Sequence, residues 1–254
     1  MDHPVPVVLI HGIRLSGGCW QQQQRLLSSR TSIAPDLPGH GARRGEVFTL
    51  DAAVDAVTAA IDRVGGRAVV VGHSLGGYVA ADTAARHPEK VAALVGFGCT
   101  LTPNKALLRV FALADLGLAK TSDSAPWSMR RLLRRALPAE IAEPVLDAGI
   151  AQGAVPAVLE SLATFDPVDA LRKYPGRTAL VNGGRDHFRL GERRFADAAQ
   201  NGGIHVVPGA GHFLPLTHGD VCAHIIEDVA ALADVTPATT ASGGCLNRVG
   251  FDGR

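Results

Sequence analysis

The sequence has almost no net charge. Its 25 lysines and arginines meet 24 aspartates and glutamates, leaving +1 over 254 residues. A balance this even gives no support for binding to nucleic acid or a membrane. Cysteine is scarce and unpatterned. Cys19, Cys99, Cys222 and Cys245 show neither paired metal spacing nor a disulfide framework. The expectation is four reduced thiols, no metal and a cytoplasmic protein. No apolar stretch reaches the roughly 20 residues that span a bilayer. The opening Met-Asp-His-Pro carries neither a basic leader nor a cleavage-like site, so no secretory signal is read there. An internal repeat is also missing.

What the chain has is apolar bulk, 46% of its residues, arranged in short runs. Residues 5–10, 31–34, 67–71, 91–97, 178–181 and 204–207 read as strands. Residues 21–29, 50–64, 76–86 and 221–233 read as helices, with Asp51 a plausible cap for the second. Strands that are apolar on both sides and alternate with helices predict a parallel sheet covered on both faces. Residues 101–175 break the alternation. They show helical patterning and no convincing strand, between two predicted strands. An insertion there lies where open parallel sheets bind ligands, beyond the carboxyl ends of the strands, and it reads as a helical cap. Residues 1–233 then form one domain, and 234–254, rich in Thr, Gly, Ala and Ser, a flexible tail.

Ser74 lies in Gly72-His73-Ser74-Leu75-Gly76, straight after the apolar run Ala68-Val69-Val70-Val71 and before an alanine-rich helical stretch. That is the setting of a nucleophile elbow, a tight turn that lifts the hydroxyl clear of the backbone and leaves no room for side chains two positions away. No Gly-Lys-Ser/Thr follows, which sets aside a phosphate loop. A serine hydroxyl needs a base, and the base needs an orienting group. Asp186 follows the run at 178–181, and His212 follows the run at 204–207 on a glycine-rich loop.

At these residues the chain resembles the α/β-hydrolase superfamily, serine esterase and lipase members especially. His11-Gly12 is similar to that family's oxyanion loop. Asp36-Leu37-Pro38-Gly39-His40-Gly41 resembles its turn after the next strand. Gly72-His73-Ser74-Leu75-Gly76-Gly77 matches its elbow, Asn182-Gly183-Gly184-Arg185-Asp186 its acid loop, and Gly209-Ala210-Gly211-His212-Phe213 its histidine loop. The motifs run in the family's order over about residues 5–233. The resemblance implies Ser74 as nucleophile, His212 as general base, Asp186 as orienting carboxylate, and the backbone N–H groups of Ile13 and Leu75 as oxyanion donors. It implies a small-molecule ester as substrate and no cofactor. With no room before residue 5 for leading antiparallel strands, about six strands are expected, as in small methylesterases and hydroxynitrile lyases.

Other readings stay open at this point. Members of the fold also use the triad as a base in lyases, and some are ligand receptors. Trp20 and Trp127 are candidates to contact substrate, with core burial the other reading for Trp20. Asp166 is the first rival to Asp186. Arg130, Arg131, Arg134 and Arg135 read as a solvated helix face rather than an acid-binding site.

Overall fold

The structure, a computed structural model, describes residues 4–118 and 127–235. The strands are β1 (Val7–Ile10), β2 (Ser32–Ile33), β3 (Ala68–His73), β4 (Val91–Phe97), β5 (Arg177–Gly183) and β6 (Asn201–Val207). Among the described residues the helices are α1 (Gln21–Leu26), α2 (Leu50–Arg63), α3 (Leu75–Arg86), α4 (Lys105–Leu118), α5 (Trp127–Ala136), α6 (Ala139–Asp147), α7 (Val155–Leu162), α8 (Pro167–Lys173), α9 (Glu192–Ala198), α10 (Leu214–Thr217) and α11 (Gly219–Asp234). All strand pairings are parallel, in the order β2-β1-β3-β4-β5-β6. This is an α/β-hydrolase fold of six strands. The chain goes one way from β1 to β2 and the other way from β1's far side through β3. The switch point therefore lies between β1 and β3, where open sheets hold their ligands.

Strand alternation sorts the core into two halves. Val7, Leu9, Val69, Val71, Val95 and Phe97 face α11, while Val8, Ile10, Val70 and Leu94 face α2 and α3. Val91 and Leu94 share a face although three residues apart. A register shift lets them, because Ala68 pairs with Val91 and Val69 with Ala93, so Ala92 is an inserted residue. Helix α3 is buried along most of its length, and its small residues Gly76, Gly77, Ala80, Ala81 and Ala84 let it sit between the sheet and its neighbours α2 and α8.

Several local expectations change. The cap of α2 is Thr49, whose side chain accepts from the Ala52 N–H, while Asp51 sits in the first turn and pairs with Arg86. Helices α9 and α10 are too short for a periodic signal. The predicted tail beyond residue 235, with Cys245, lies outside the described residues. Asp234 itself ends α11 and is fixed by Arg30 and the Val5 N–H. No single helix among the described residues is long and apolar enough to cross a membrane.

Candidate active site

Ser74 sits between β3 and α3 with φ 53° and ψ −114°, a region that an L-residue enters only when its surroundings force it there. Its N–H donates to the Phe97 carbonyl at 2.8 Å, which ties the turn to β4. The flanking glycines are required by contact. A β-carbon on Gly72 would lie 2.1 Å from the Gly76 oxygen, and one on Gly76 would lie 2.2 Å from the Ile10 oxygen. The turn thus presses against β1, and any side chain would push it off.

Asp186 and His212 arrive on two loops that are pinned to each other. Gly184 N–H donates to Val207 O and Arg185 N–H to Ala210 O, each at 2.8 Å. The Asp186 carboxylate is buried; its Oδ1 accepts from Phe188 N–H at 2.8 Å and its Oδ2 bonds His212 Nδ1 at 2.9 Å. Burial pushes this carboxyl up, but the His212 hydrogen bond and charge together with the Phe188 amide outweigh it, so it stays below the usual carboxylate range. With Asp186 ionised, His212 carries its proton on Nδ1. Nε2 is then free to accept from Ser74 Oγ, 3.1 Å away. The structure brings the three residues into one hydrogen-bonded series. Asp166 is elsewhere: it caps α8 through the N–H groups of Val168 and Asp169.

Leu75 is the first residue of α3 and Ile13 follows His11-Gly12. The first N–H groups of a helix have no intrahelical acceptor and sit at the positive end of its dipole. Both residues line a cavity of about 310 Å³ that reaches Ser74 and His212. Its far wall comes from the segment after β4: Leu101, Pro103, Leu108, Phe111, Leu133, Ile150, Val158, Leu159 and Leu162. The chamber is apolar except near its floor. Trp20 does not line it. A 3-10 turn (Gly17–Trp20) rotates its ring into the core against Phe97, where it is 1% exposed. Trp127 opens α5, and its side chain lies outside what is described. Arg134 pairs with Glu143 at the surface, and none of Arg130, Arg131, Arg134 and Arg135 reaches the cavity.

Four further residues support the site, three of them within the motifs read from the sequence and Gly98 outside them. His73 is buried and its Nε2–H donates to the His212 carbonyl at 2.8 Å. Gly98 has φ +59°, and a β-carbon there would lie 3.1 Å from both Asp186 Oδ2 and His212 Nδ1. Asp36 accepts from Gly17 N–H and Ala42 N–H, each at 2.7 Å, holding the loop after β1 to the turn after β2. His11 Nδ1–H donates to Gly12 O and its Nε2 accepts from Leu37 N–H, so this ring is locked neutral.

Burial lowers the pKa of both His11 and His73 to about 3. Above pH 6.5 neither state is protonated at these rings and they add no pH dependence. Between about 6.5 and 3 the unfolded chain takes up protons that the folded one refuses. Stability should therefore fall as pH falls, by about 1.4 kcal/mol per pH unit for each ring. Denaturant unfolding at pH 7, 6 and 5 measures this, and a flat stability over that range would show that the rings are not held neutral.

The order of the parts is diagnostic. In the α/β-hydrolase class the serine stands on a strained strand-to-helix turn, and the acid and then the histidine follow from later strands; the order here is Ser74, Asp186, His212. The chain belongs to the alpha/beta hydrolase family, whose model matches residues 7–225. It is 32% identical over 265 aligned positions to a pimeloyl-(acyl-carrier protein) methyl ester esterase of Aromatoleum aromaticum, covering 90% of this chain and 99% of that protein. It is 40% identical over 149 residues to lipase LipV of Mycobacterium tuberculosis, where the match spans 57% of this chain and only 56% of the lipase. Among solved structures, a thermophilic esterase from Thermogutta terrifontis superposes with a TM-score of 0.75 at 22% identity, over 92% of each chain.

Proposed function

We propose that the protein hydrolyses carboxylic esters of small molecules through an acyl-enzyme on Ser74. A fold of this kind hosts many chemistries, so the reading rests on the site. Its main support is the series Asp186 Oδ2–His212 Nδ1 and His212 Nε2–Ser74 Oγ, at 2.9 and 3.1 Å, at the floor of an apolar chamber. Ser74 Oγ bonds to the acyl carbon as its proton passes to His212 Nε2. The carbonyl oxygen becomes an oxyanion facing the Ile13 and Leu75 amides. Collapse breaks the ester C–O bond, and His212 hands its proton to the leaving alcohol. A water then gives its proton to His212 and adds to the acyl carbon, and Ser74 leaves with the proton as the acid departs. The helices after β4 act as a cap that sets which acyl groups enter.

A fluorophosphonate probe tests the nucleophile directly. Oγ displaces fluoride at phosphorus, and peptide mass spectrometry should find the adduct on Ser74 alone. A slow ester should likewise leave a trapped acyl group there. A protein that reacts with neither would be using its histidine as a base only, as in a lyase of this fold, or would be a binder.

A further inference from the structure

Two residues other than glycine have positive φ in the described chain: Ser74 and, at φ 67°, Arg14. Arg14 directly follows Ile13, and both line the cavity. Backbone held in this region marks a site where the surroundings over-determine the conformation. A β-carbon is a burden there, so the arginine side chain must supply something that glycine would not. Its contacts show what. The Arg14 carbonyl accepts from Ala151 N–H at 2.9 Å, Nε donates to Gln152 Oε1 at 3.1 Å, and the guanidinium lies 5.8 Å from the Phe111 ring centroid. Ala151 and Gln152 belong to the link between α6 and α7, and Phe111 belongs to α4. One residue in the loop after β1 therefore touches separated parts of the cap. The same link is held independently from outside, where Arg44 Nη2 donates to Ala148 O at 3.1 Å.

We infer that Arg14 is a positioning residue: its hydrogen bonds to the 151–152 link steady the Gly12–Leu15 turn, and through that turn the peptide that presents the Ile13 amide, so that the oxyanion site depends on the Arg14 contacts. The inference rests on the ester-hydrolase reading for its substrate but not for its readout. The Ile13 N–H belongs to the peptide whose carbonyl is Gly12 O, which accepts from Leu15 N–H at 3.2 Å and from His11 Nδ1–H at 2.9 Å. The positive φ at Arg14 brings Leu15 N–H back onto Gly12 O, and the cap bonds hold Arg14 in that turn through both its carbonyl and its side chain. Binding an acyl group against Phe111 and Ile150 then seats the same cap elements that Arg14 grips.

The test compares Arg14→Gly, Gln152→Ala, their double variant and Arg44→Ala. Arg14→Gly keeps the backbone conformation open to it and the Ala151 bond to its carbonyl but removes the side-chain grip on Gln152 and Phe111; its kcat on p-nitrophenyl hexanoate should fall about ten- to hundredfold, the scale of a misplaced catalytic group. KM should change less than kcat, because the amide acts on the oxyanion of the transition state. The rate of fluorophosphonate labelling at Ser74 should fall in parallel. Gln152→Ala should lose a smaller factor in kcat, and the double variant should be no slower than Arg14→Gly, since both cut one link. Arg44→Ala removes one exposed bond, to Ala148 O, and leaves both Arg14 bonds in place, so it should stay within about twofold in kcat. Arg14→Gly should melt no lower than the parent protein. Wild-type kcat in Arg14→Gly, a loss confined to KM, multiplying losses in the double variant, or an equal loss in Arg44→Ala would each overturn the inference. A wild-type protein that labels at Ser74 yet hydrolyses no ester would end the ester reading, while the labelling rates would still decide the role of Arg14.

Discussion

Replacing Ser74 by alanine is expected to lower kcat on any ester substrate by on the order of 10⁴–10⁶, leaving only what the amides and the cavity contribute by binding. In the proposed mechanism the hydroxyl is the atom that bonds to the acyl carbon, and its Oγ lies 3.1 Å from His212 Nε2. The fold should survive, because Ser74 holds its turn through backbone bonds, its N–H to Phe97 and its carbonyl to Gly77 N–H. A second variant separates chemistry from strain. Ser74→Gly also lacks the hydroxyl and should be equally inactive, but glycine accepts φ 53° without a β-carbon clash. It should therefore be more stable than Ser74→Ala by about 1 kcal/mol in denaturant unfolding. Equal stability of the two would mean that the elbow stores no strain. Retained turnover in either would remove Ser74 from the mechanism.

The parts of this molecule that could be read from sequence are those with a local cause. Strands β1, β3 and β4 are buried on both faces, so they appear as continuous apolar runs. Ser74 follows such a run, and its flanking glycines have a contact reason; β6, which leads to His212, is instead a mostly exposed edge strand, and His212 is marked by its glycine-rich loop rather than by burial. What could not be read depends on where distant segments meet. Trp20 points into the core because a 3-10 turn, without helical period, rotates it toward Phe97. The choice between Thr49 and Asp51 as cap turns on where the backbone leaves the helix, a matter of two residues. The shift at Ala92 that keeps Val91 and Leu94 on one face has no sequence marker. Gly98 is informative only in three dimensions. A side chain there would crowd the Asp186 carboxylate and the His212 ring. Arg14 carries no sequence signal for the same reason: an arginine in a loop looks ordinary until its φ and its contacts with Ala151, Gln152 and Phe111 are known.

Asp186→Asn is expected to lower kcat by about 10³–10⁴, although asparagine has nearly the same shape. The reason lies in the two oxygens of Asp186. Oδ1 accepts from the Phe188 N–H and Oδ2 from His212 Nδ1–H. An asparagine has one acceptor and one donor end. Its oxygen will face the Phe188 amide, since an NH₂ group there would meet another donor inside a buried loop. The NH₂ is then turned to His212, whose Nδ1 must become an acceptor. The ring proton moves to Nε2 and points at Ser74 Oγ, so the base is presented with its proton already on. The buried carboxylate charge that would balance a protonated His212 is lost as well. Hydroxyl abstraction fails at pH 7 on both counts, while substrate binding, set by the cavity walls, should hold KM within a few-fold. Raising the pH should not restore the rate, because the fault is the tautomer and not the charge of a carboxyl group. Asp186→Asn with near-wild-type kcat would instead move the orienting role to another acid. Asp166 could take it only by giving up its cap on α8, a role that a paired Asp166→Ala variant would expose as a loss of stability without a loss of rate.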